Sequence, residues 1–129
     1  MTKIPPISEE QFQGIKRQFL QQKMVTCQVV SDSMEPIIMT GDMITVALPT
    51  QPLRLFDILV FYQNKKLICH LFVKESQLSK DEYLTSSYNG IVFDFPVKAS
   101  EVLGVVVSHR LSFFQKIGFL LKMRWRKNQ

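Results

Sequence analysis

Six short runs of apolar, partly β-branched residues follow one another along the middle of the chain. They cover residues 24–30, 43–48, 57–63, 66–74, 82–85 and 102–108. Runs of this length are typical of β-strands when polar or proline-containing connections separate them. Pro49, Pro52 and Pro96 lie in the connections, and the segment Gln63-Asn64-Lys65-Lys66 is typical of a hairpin loop. The chain is therefore predicted to form one mostly β domain.

A short helix is predicted before this β region. Ser8 is a suitable N-cap, and Glu9 and Glu10 follow it where the helix dipole favours acidic residues. Apolar side chains then recur at helical spacing to about Lys23: Phe12, Ile15, Phe19 and Leu20. This helix is too short for a helix-turn-helix domain. The predicted division of the chain is an N-terminal extension with a short helix at 1–23, a β domain at 24–109 and a C-terminal helix at 110–129.

The C-terminal segment carries the whole positive surplus of the chain. From Arg110 onward it contains basic residues and no acidic one, whereas the remainder is close to neutral. Its apolar residues form a helical stripe: Leu111, Phe114, Ile117, Leu121 and Trp125, with Phe113 and Leu120 beside it. Residues 111–127 can lie on an anionic membrane with Trp125 among the headgroups, or they can pack on the sheet with the basic residues in water. Nucleic-acid binding is not favoured, because no stacking surface is interleaved with the basic residues.

Composition narrows the classes of function. Apolar residues make up 46% of the 129 residues, which is enough to bury a core. Cys27 and Cys69 lie in predicted strands and are expected to be buried thiols; with two distant histidines they lack the spacing of a metal site, and no cofactor is expected. No stretch has the length of a membrane span, and the first residues lack the layout of a signal peptide. The expected location is the cytoplasm, with peripheral attachment to the membrane as an extension of it.

The segment from Ser31 to Pro36, followed by Gly41-Asp42, is the strongest indication of function. It places Ser33 between an apolar strand and a turn stiffened by proline. A nucleophilic serine needs such a rigid position at a sheet edge, where free backbone N–H groups can hold an oxyanion. Outside this context, Ser33 would be read as an ordinary turn or cap serine.

These residues resemble the first conserved box of type I signal peptidases. The segment 55–61 resembles the strand of their second box, with Phe56 where glycine is usual, and 67–73 resembles the strand that carries the catalytic histidine in the Ser–His branch, the archaeal and endoplasmic-reticulum type. Residues 83–89 correspond to a third box but lack its lysine, glycine and first aspartate, and 103–106 resemble the closing strand. The resemblance covers about residues 24–109. It implies a signal peptidase/SOS-repressor-like fold: folded β-ribbons in a partly open barrel, with short helices at both ends.

The resemblance also implies roles for individual residues. Ser33 would attack the scissile carbonyl, His70 would act as general base, and Asp94 would orient the imidazole. Ser31 would add a hydroxyl donor to the oxyanion site, and Met34 and Pro36 would shape the turn and the substrate cleft. Side-chain alternation along the strand places Cys69 on the face opposite His70, and Lys74, on the same face as His70, is a weaker candidate base. His109 is expected at the surface, and Gly41, Asp42 and Asp57 are expected to be structural.

Three functions follow from these patterns. The first is a serine endopeptidase that cleaves a peptide or protein leader bound in extended form. The second is a self-cleaving peptidase like the SOS repressors, which share the "DSM…GD" box and a closing "GVV" strand; against it stand Pro36, a histidine in place of the strand lysine, and the lack of an Ala-Gly or Cys-Gly bond upstream. The third is a non-catalytic module of the same fold that binds a peptide or a partner, and the departures in the third box favour it.

Overall fold

The computed structural model describes residues 6–127, with side chains through residue 124. Helix α1 spans Glu9–Gln22 and helix α2 spans Phe113–Lys127. Seven strands lie between them: β1 (Met24–Gln28), β2 (Met43–Ala47), β3 (Ile58–Gln63), β4 (Lys66–Glu75), β5 (Glu82–Ser86), β6 (Val97–Lys98) and β7 (Val102–Val106). They form one antiparallel sheet in the order β1-β2-β7-β3-β4-β5-β6, with β1 and β6 at its edges. The mostly β fold with flanking helices is thus confirmed.

The six predicted strands are present within a few residues of their predicted ends, and one element was missed. Strand β6 has only two residues and is followed by a single 3₁₀ turn at Ala99–Glu101. Two residues are too few to show the alternation from which strands are predicted. The predicted division of the chain at residues 23 and 109 stays a prediction.

The hairpin of β3 and β4 forms the centre of the sheet. Asn64 and Lys65 both have positive φ angles, 54° and 60°, which is the two-residue turn that matches the twist of paired strands. The turn sets the register in which Ile58 lies opposite Leu71 and Gln63 opposite Lys66. Side chains of β3 are buried on both faces of the sheet, so the hairpin contributes to two apolar clusters.

Helix α1 covers one face of the sheet. Ser8 and Gln11 form a capping box at its start, in which each side chain accepts a hydrogen bond from the other residue's backbone N–H. Phe12 and Phe19 are fully buried, and the ring of Phe12 stacks on Tyr62 at a centroid distance of 4.6 Å. Burial of each phenylalanine contributes about 1.5–3 kcal/mol.

Helix α2 packs against the body of the protein through one face. Phe119 is buried, Met123 packs against the same cluster, and Leu111 is buried just before the helix. Of the predicted apolar stripe, Phe114, Ile117 and Leu121 are exposed to solvent. The side chain of Trp125 lies outside the described residues. Within the described residues, no helix combines the length and the apolar character that crossing a membrane requires.

Gly104 in β7 allows α1 and β2 to approach closely. A Cβ atom at this position would lie 2.6 Å from the carbonyl oxygen of Ala47 and 3.0 Å from the ring of Phe19. The first contact is with backbone, which cannot rotate away. The glycine is therefore required by the packing between strands β7 and β2 and helix α1.

We expect Gly104→Ala to lower the free energy of unfolding by about 1–3 kcal/mol, because the added methyl group overpacks the core. Gly118→Ala is the matched control: nothing lies within 4 Å of a Cβ atom at this helical position, so alanine should stabilise the protein by about 0.5–1 kcal/mol. Urea unfolding of both variants checks this. Equal stability of the wild type and Gly104→Ala would contradict the packing argument.

Candidate active site

The loop that carries Ser33 leaves the sheet after β1 and returns before β2. Its two ends are closed by backbone hydrogen bonds from Val29 N to Asp42 O (2.9 Å) and from Gly41 N to Val29 O (2.7 Å). Gly41 has a φ angle of +95°, a conformation that glycine adopts at no steric cost. The carboxylate of Asp42 accepts a hydrogen bond from the backbone N–H of Met39. The Gly-Asp pair thus has the structural role predicted for it.

Buried side chains anchor the loop from below. Met34 and Ile38 are almost completely buried in the main core cluster, whereas Pro36 is exposed after a cis Glu35–Pro36 peptide bond. Ser33 itself is half-buried. The loop therefore holds Ser33 at the rim of the core. A role of Met34 and Pro36 in shaping the cleft stays a prediction.

Two backbone hydrogen bonds attach Ser33 to the segment that follows β5. Its carbonyl oxygen accepts from Tyr88 N (3.1 Å) and from Asn89 N (2.8 Å), and the Asn89 side chain donates to Asp32 O (3.3 Å). On the side-chain side, Ser33 Oγ lies 3.1 Å from Ser31 Oγ, so the two predicted hydroxyl groups form one hydrogen-bonded pair.

His70 and Asp94 lie side by side, as predicted. The Nδ1 atom of His70 is 2.7 Å from Asp94 Oδ2, and their side chains are only 12% and 14% exposed. Thr85 in β5 donates a second hydrogen bond of 2.7 Å to the same carboxylate oxygen, and the ring of Phe61 contacts the imidazole edge-on at 6.1 Å. The imidazole is therefore contacted from two sides. Within the described residues its Nε2 atom makes no hydrogen bond.

The pairing of β4 with β5 brings Ser33 and His70 to the same part of the sheet. Leu71 lies opposite Ser86, so continuing this register by one residue places Ser87 opposite His70. Ser33 is attached to the next two residues of that segment. No hydrogen bond joins Ser33 to His70 in the part of the chain that the structure describes; catalytic hydrogen bonds often form only once substrate is bound.

Two residues that the sequence analysis did not single out complete this arrangement. Thr85 is fully buried and holds Asp94; Ser87 accepts a hydrogen bond from Val92 N and donates one to Asn89 O. Both occupy the third box, where the chain departs from the signal peptidase pattern. A buried hydroxyl on the strand beside the histidine strand was the signal that could have identified Thr85.

Cys69 takes no part in this site. It packs against the main core cluster, whereas His70 contacts Phe61 in the cluster on the other face, so the predicted opposite orientation is confirmed. Burial, with a smaller contribution from Cys27, raises the pKa of the Cys69 thiol to about 12. A thiol that is neutral at physiological pH is a poor nucleophile. Both cysteines are free, as predicted, but each is half-buried rather than fully buried.

The remaining candidates lie elsewhere. Lys74 is exposed near the end of β4, beyond an irregularity in the β4–β5 register. His109 lies 3.5 Å from Asp42 and contacts the hydroxyl of Ser108, and Asp57 accepts a hydrogen bond from the backbone of Arg54. No group of three or more histidine, cysteine or acidic side chains among residues 6–124 could hold a metal ion.

A cavity of about 390 Å³ lies apart from these residues. It lies between α1, the segment 48–53 and the 3₁₀ turn, and includes Tyr83, whose pKa is raised mainly by burial. It is not lined by Ser33, His70 or Asp94.

We expect Thr85→Val and Asp94→Ala to affect stability non-additively, because each removes one partner of the same buried hydrogen bond. The coupling measured in a double-mutant cycle by urea unfolding should be about 1 kcal/mol or more. Thr26→Val, at an exposed position in β1, is the control and should combine additively with Asp94→Ala. Additive effects in both cycles would show that Thr85 does not hold Asp94.

Alkylation tests the position of Cys69. In the folded protein at pH 8, Cys69 should react much more slowly with iodoacetamide than in urea, since its raised pKa keeps the thiol protonated. Mass spectrometry of digested samples locates the modification. Modification of Cys69 at equal rates in the folded and denatured protein would contradict its burial.

Comparison with known protein families gives one match. Residues 2–107 match the family described as Peptidase S24-like, which covers most of the chain, including α1 and all seven strands. A search of curated proteins found no match. The match supports a function of the serine-peptidase or self-cleaving kind, and it agrees with the mostly β fold. The chain therefore belongs to the Peptidase S24-like family.

Proposed function

We propose that the protein is a serine endopeptidase in which Ser33 is the nucleophile and His70 is the general base. The observation that carries this proposal is the 2.7 Å contact between His70 Nδ1 and Asp94 Oδ2, in a half-buried site that Ser33 adjoins through the segment after β5. A carboxylate on Nδ1 favours the tautomer whose Nε2 lone pair can accept a proton. A histidine with a merely structural role does not require this geometry.

The chemistry follows from these positions. The Oγ of Ser33 bonds to the scissile carbonyl carbon while its proton passes to His70 Nε2, and Asp94 stabilises the imidazolium that forms. The proton then goes to the leaving amine, the peptide C–N bond breaks, and water hydrolyses the acyl-enzyme by the same route. Thr85 keeps the carboxylate in place through both steps.

The oxyanion has two donors within reach of the nucleophile. The backbone N–H of Ser33 donates to no other group in the described residues, and the Ser31 hydroxyl lies 3.1 Å from Ser33 Oγ. Donors directed at the developing negative charge lower the barrier to acyl transfer. These two groups are the ones that we assign to this role.

The substrate that fits is an extended peptide segment. Strand β1 ends three residues before Ser31 and, among the strands of residues 6–127, pairs only with β2, so its outer edge is available to a further strand. A peptide paired there would run towards Ser33. Specificity for a leader peptide, with a small residue before the cut, is proposed from the resemblance to the Ser–His branch of signal peptidases.

Self-cleavage is the second candidate, and membership in the Peptidase S24-like family favours it. In this case the peptide supplied to Ser33 belongs to the chain itself. Incubation at alkaline pH followed by intact-mass measurement distinguishes the two functions. A clean N-terminal truncation that Ser33→Ala prevents supports self-cleavage. An unchanged mass argues against self-cleavage and favours cleavage of a separate protein substrate.

We expect an active-site-directed serine acylator to label the wild type and neither Ser33→Ala nor His70→Ala. Asp94→Asn should slow labelling by roughly 10²–10⁴-fold, because the imidazole loses its orienting partner. Ser100→Ala, which removes the same side chain as Ser33→Ala at a position outside the site, is the matched control and should label normally.

Labelling that survives in Ser33→Ala would falsify the assignment of the nucleophile. If the wild type labels no better than Ser33→Ala, while a known serine peptidase labels in parallel, the protein is instead a binding module that has kept the fold. Loss of labelling in Ser33→Ala but not in His70→Ala would show that a base other than His70 removes the proton from the Ser33 hydroxyl.

A further inference from the structure

We propose that the exposed face of α2 binds an anionic lipid bilayer, with the helix lying parallel to the membrane surface. This proposal concerns a surface separate from the catalytic residues and does not depend on peptidase activity. It rests on an apolar stripe that the fold leaves uncovered and on the charge that surrounds it.

The stripe consists of large apolar side chains in contact with solvent. Phe113 is 70% exposed, Phe114 82% and Leu121 62%, and Ile117 and Leu120 are each 40% exposed. At 100° per residue these five positions fall within one sector of the helix. Contiguous exposed apolar patches on a folded protein indicate an interaction surface, whereas single exposed residues do not.

The stripe is not needed to attach the helix to the protein. Attachment comes from the opposite side, where the buried Phe119 contacts Phe56 edge-on at 5.9 Å and stacks on Tyr88 at 6.2 Å. Phe56 keeps this contact although its φ angle is +79°, a conformation that disfavours a side chain. The helix therefore has two apolar faces, and the core occupies only one of them.

The basic residues of α2 indicate which partner binds its exposed apolar face. From residue 110 to the end the chain contains only basic charged residues, and the described side chains Lys122 and Arg124 are exposed on α2. Lys116 extends over the ring of Phe56 at 5.8 Å, next to the body of the protein. At 100° per residue Arg124 falls within the sector of the stripe, one turn beyond Leu120, and Lys122 lies to one side of it. An apolar stripe with cations at its end and beside it matches the acyl chains and negative headgroups of an anionic bilayer.

The same charges argue against a second copy of the chain. Two α2 helices that packed through this stripe would bring cations together with no acidic residue on either helix to pair with them. A nucleic acid would contact the cations but would leave the phenylalanine and leucine side chains in water. The bilayer is the occupant that uses both parts of the surface.

Membrane docking of α2 would also bring the candidate active site close to the membrane surface. Phe119 stacks on Tyr88, whose backbone N–H donates to the carbonyl oxygen of Ser33. Only one residue therefore separates the docked helix from the loop that carries the nucleophile. Substrates next to the membrane surface are the ones that this arrangement would supply to Ser33.

Co-sedimentation of the full chain with lipid vesicles tests the proposal. We expect binding to vesicles that contain phosphatidylglycerol, little binding to phosphatidylcholine alone, and release at high salt, because headgroup attraction is screened. Phe114→Asp combined with Leu121→Asp should weaken binding by at least about tenfold, and so should Lys122→Glu combined with Arg124→Glu.

Leu78→Asp is the matched control, because Leu78 is 96% exposed but lies far along the chain, in the turn between β4 and β5. It should bind like the wild type. All these substitutions are at exposed positions, so thermal unfolding should show intact folding. Ser33→Ala should also bind normally, which separates this proposal from the proposed catalysis.

Three results would overturn it: no binding to phosphatidylglycerol vesicles at low salt, equal binding by the α2 variants and the wild type, or equal loss with Leu78→Asp. Sedimentation velocity without lipid tests whether a second copy of the chain binds the stripe instead. A concentration-dependent dimer that the Phe114→Asp, Leu121→Asp variant abolishes would assign the stripe to self-association instead.

Discussion

The candidate site depends on the two hydrogen bonds that the Ser33 carbonyl oxygen accepts from Tyr88 and Asn89. Ser33 follows the edge strand β1, whereas His70 lies in β4, four positions away in the sheet. The segment after β5 reaches both, because its strand pairs with β4 and its end attaches to the Ser33 loop. Without this attachment, the proposed nucleophile Ser33 and the proposed base His70 would belong to separate parts of the molecule.

The third box illustrates how a departure from a family pattern can be compensated. The lysine, glycine and first aspartate of the signal peptidase pattern are missing, yet the residues present there form hydrogen bonds that position their neighbours. Thr85 fixes the carboxylate of Asp94, and Ser87 organises the turn that presents the two N–H groups to Ser33. Small buried hydroxyls perform these positioning tasks with hydrogen bonds of ordinary length. The loss of the usual residues is therefore a weak argument for loss of catalysis.

The sequence predicted the parts of the structure that local patterns determine. The hairpin at residues 63–66 followed from polar residues between two apolar runs, and α1 from its cap and its spacing. The partnership of His70 with Asp94, 24 residues apart, came only from the resemblance, since no local pattern encodes it. Phe119 was missed because α2 has apolar residues on several sides, and only the packed structure distinguishes its buried face from its exposed one.

Phe56 links the β domain to helix α2. Its position has a positive φ angle, which explains why glycine is usual there: a side chain in this conformation costs about 1–2 kcal/mol. The phenylalanine packs edge-on against Phe119, an arrangement that contributes about 0.5–1.5 kcal/mol, and it gives α2 a docking point beside Tyr88. A strained residue in the β domain and an aromatic residue in the tail are thus two halves of one contact. The stack of Phe119 on Tyr88 then joins the basic helix to the loop that carries Ser33, so we expect the tail to be part of the functional unit.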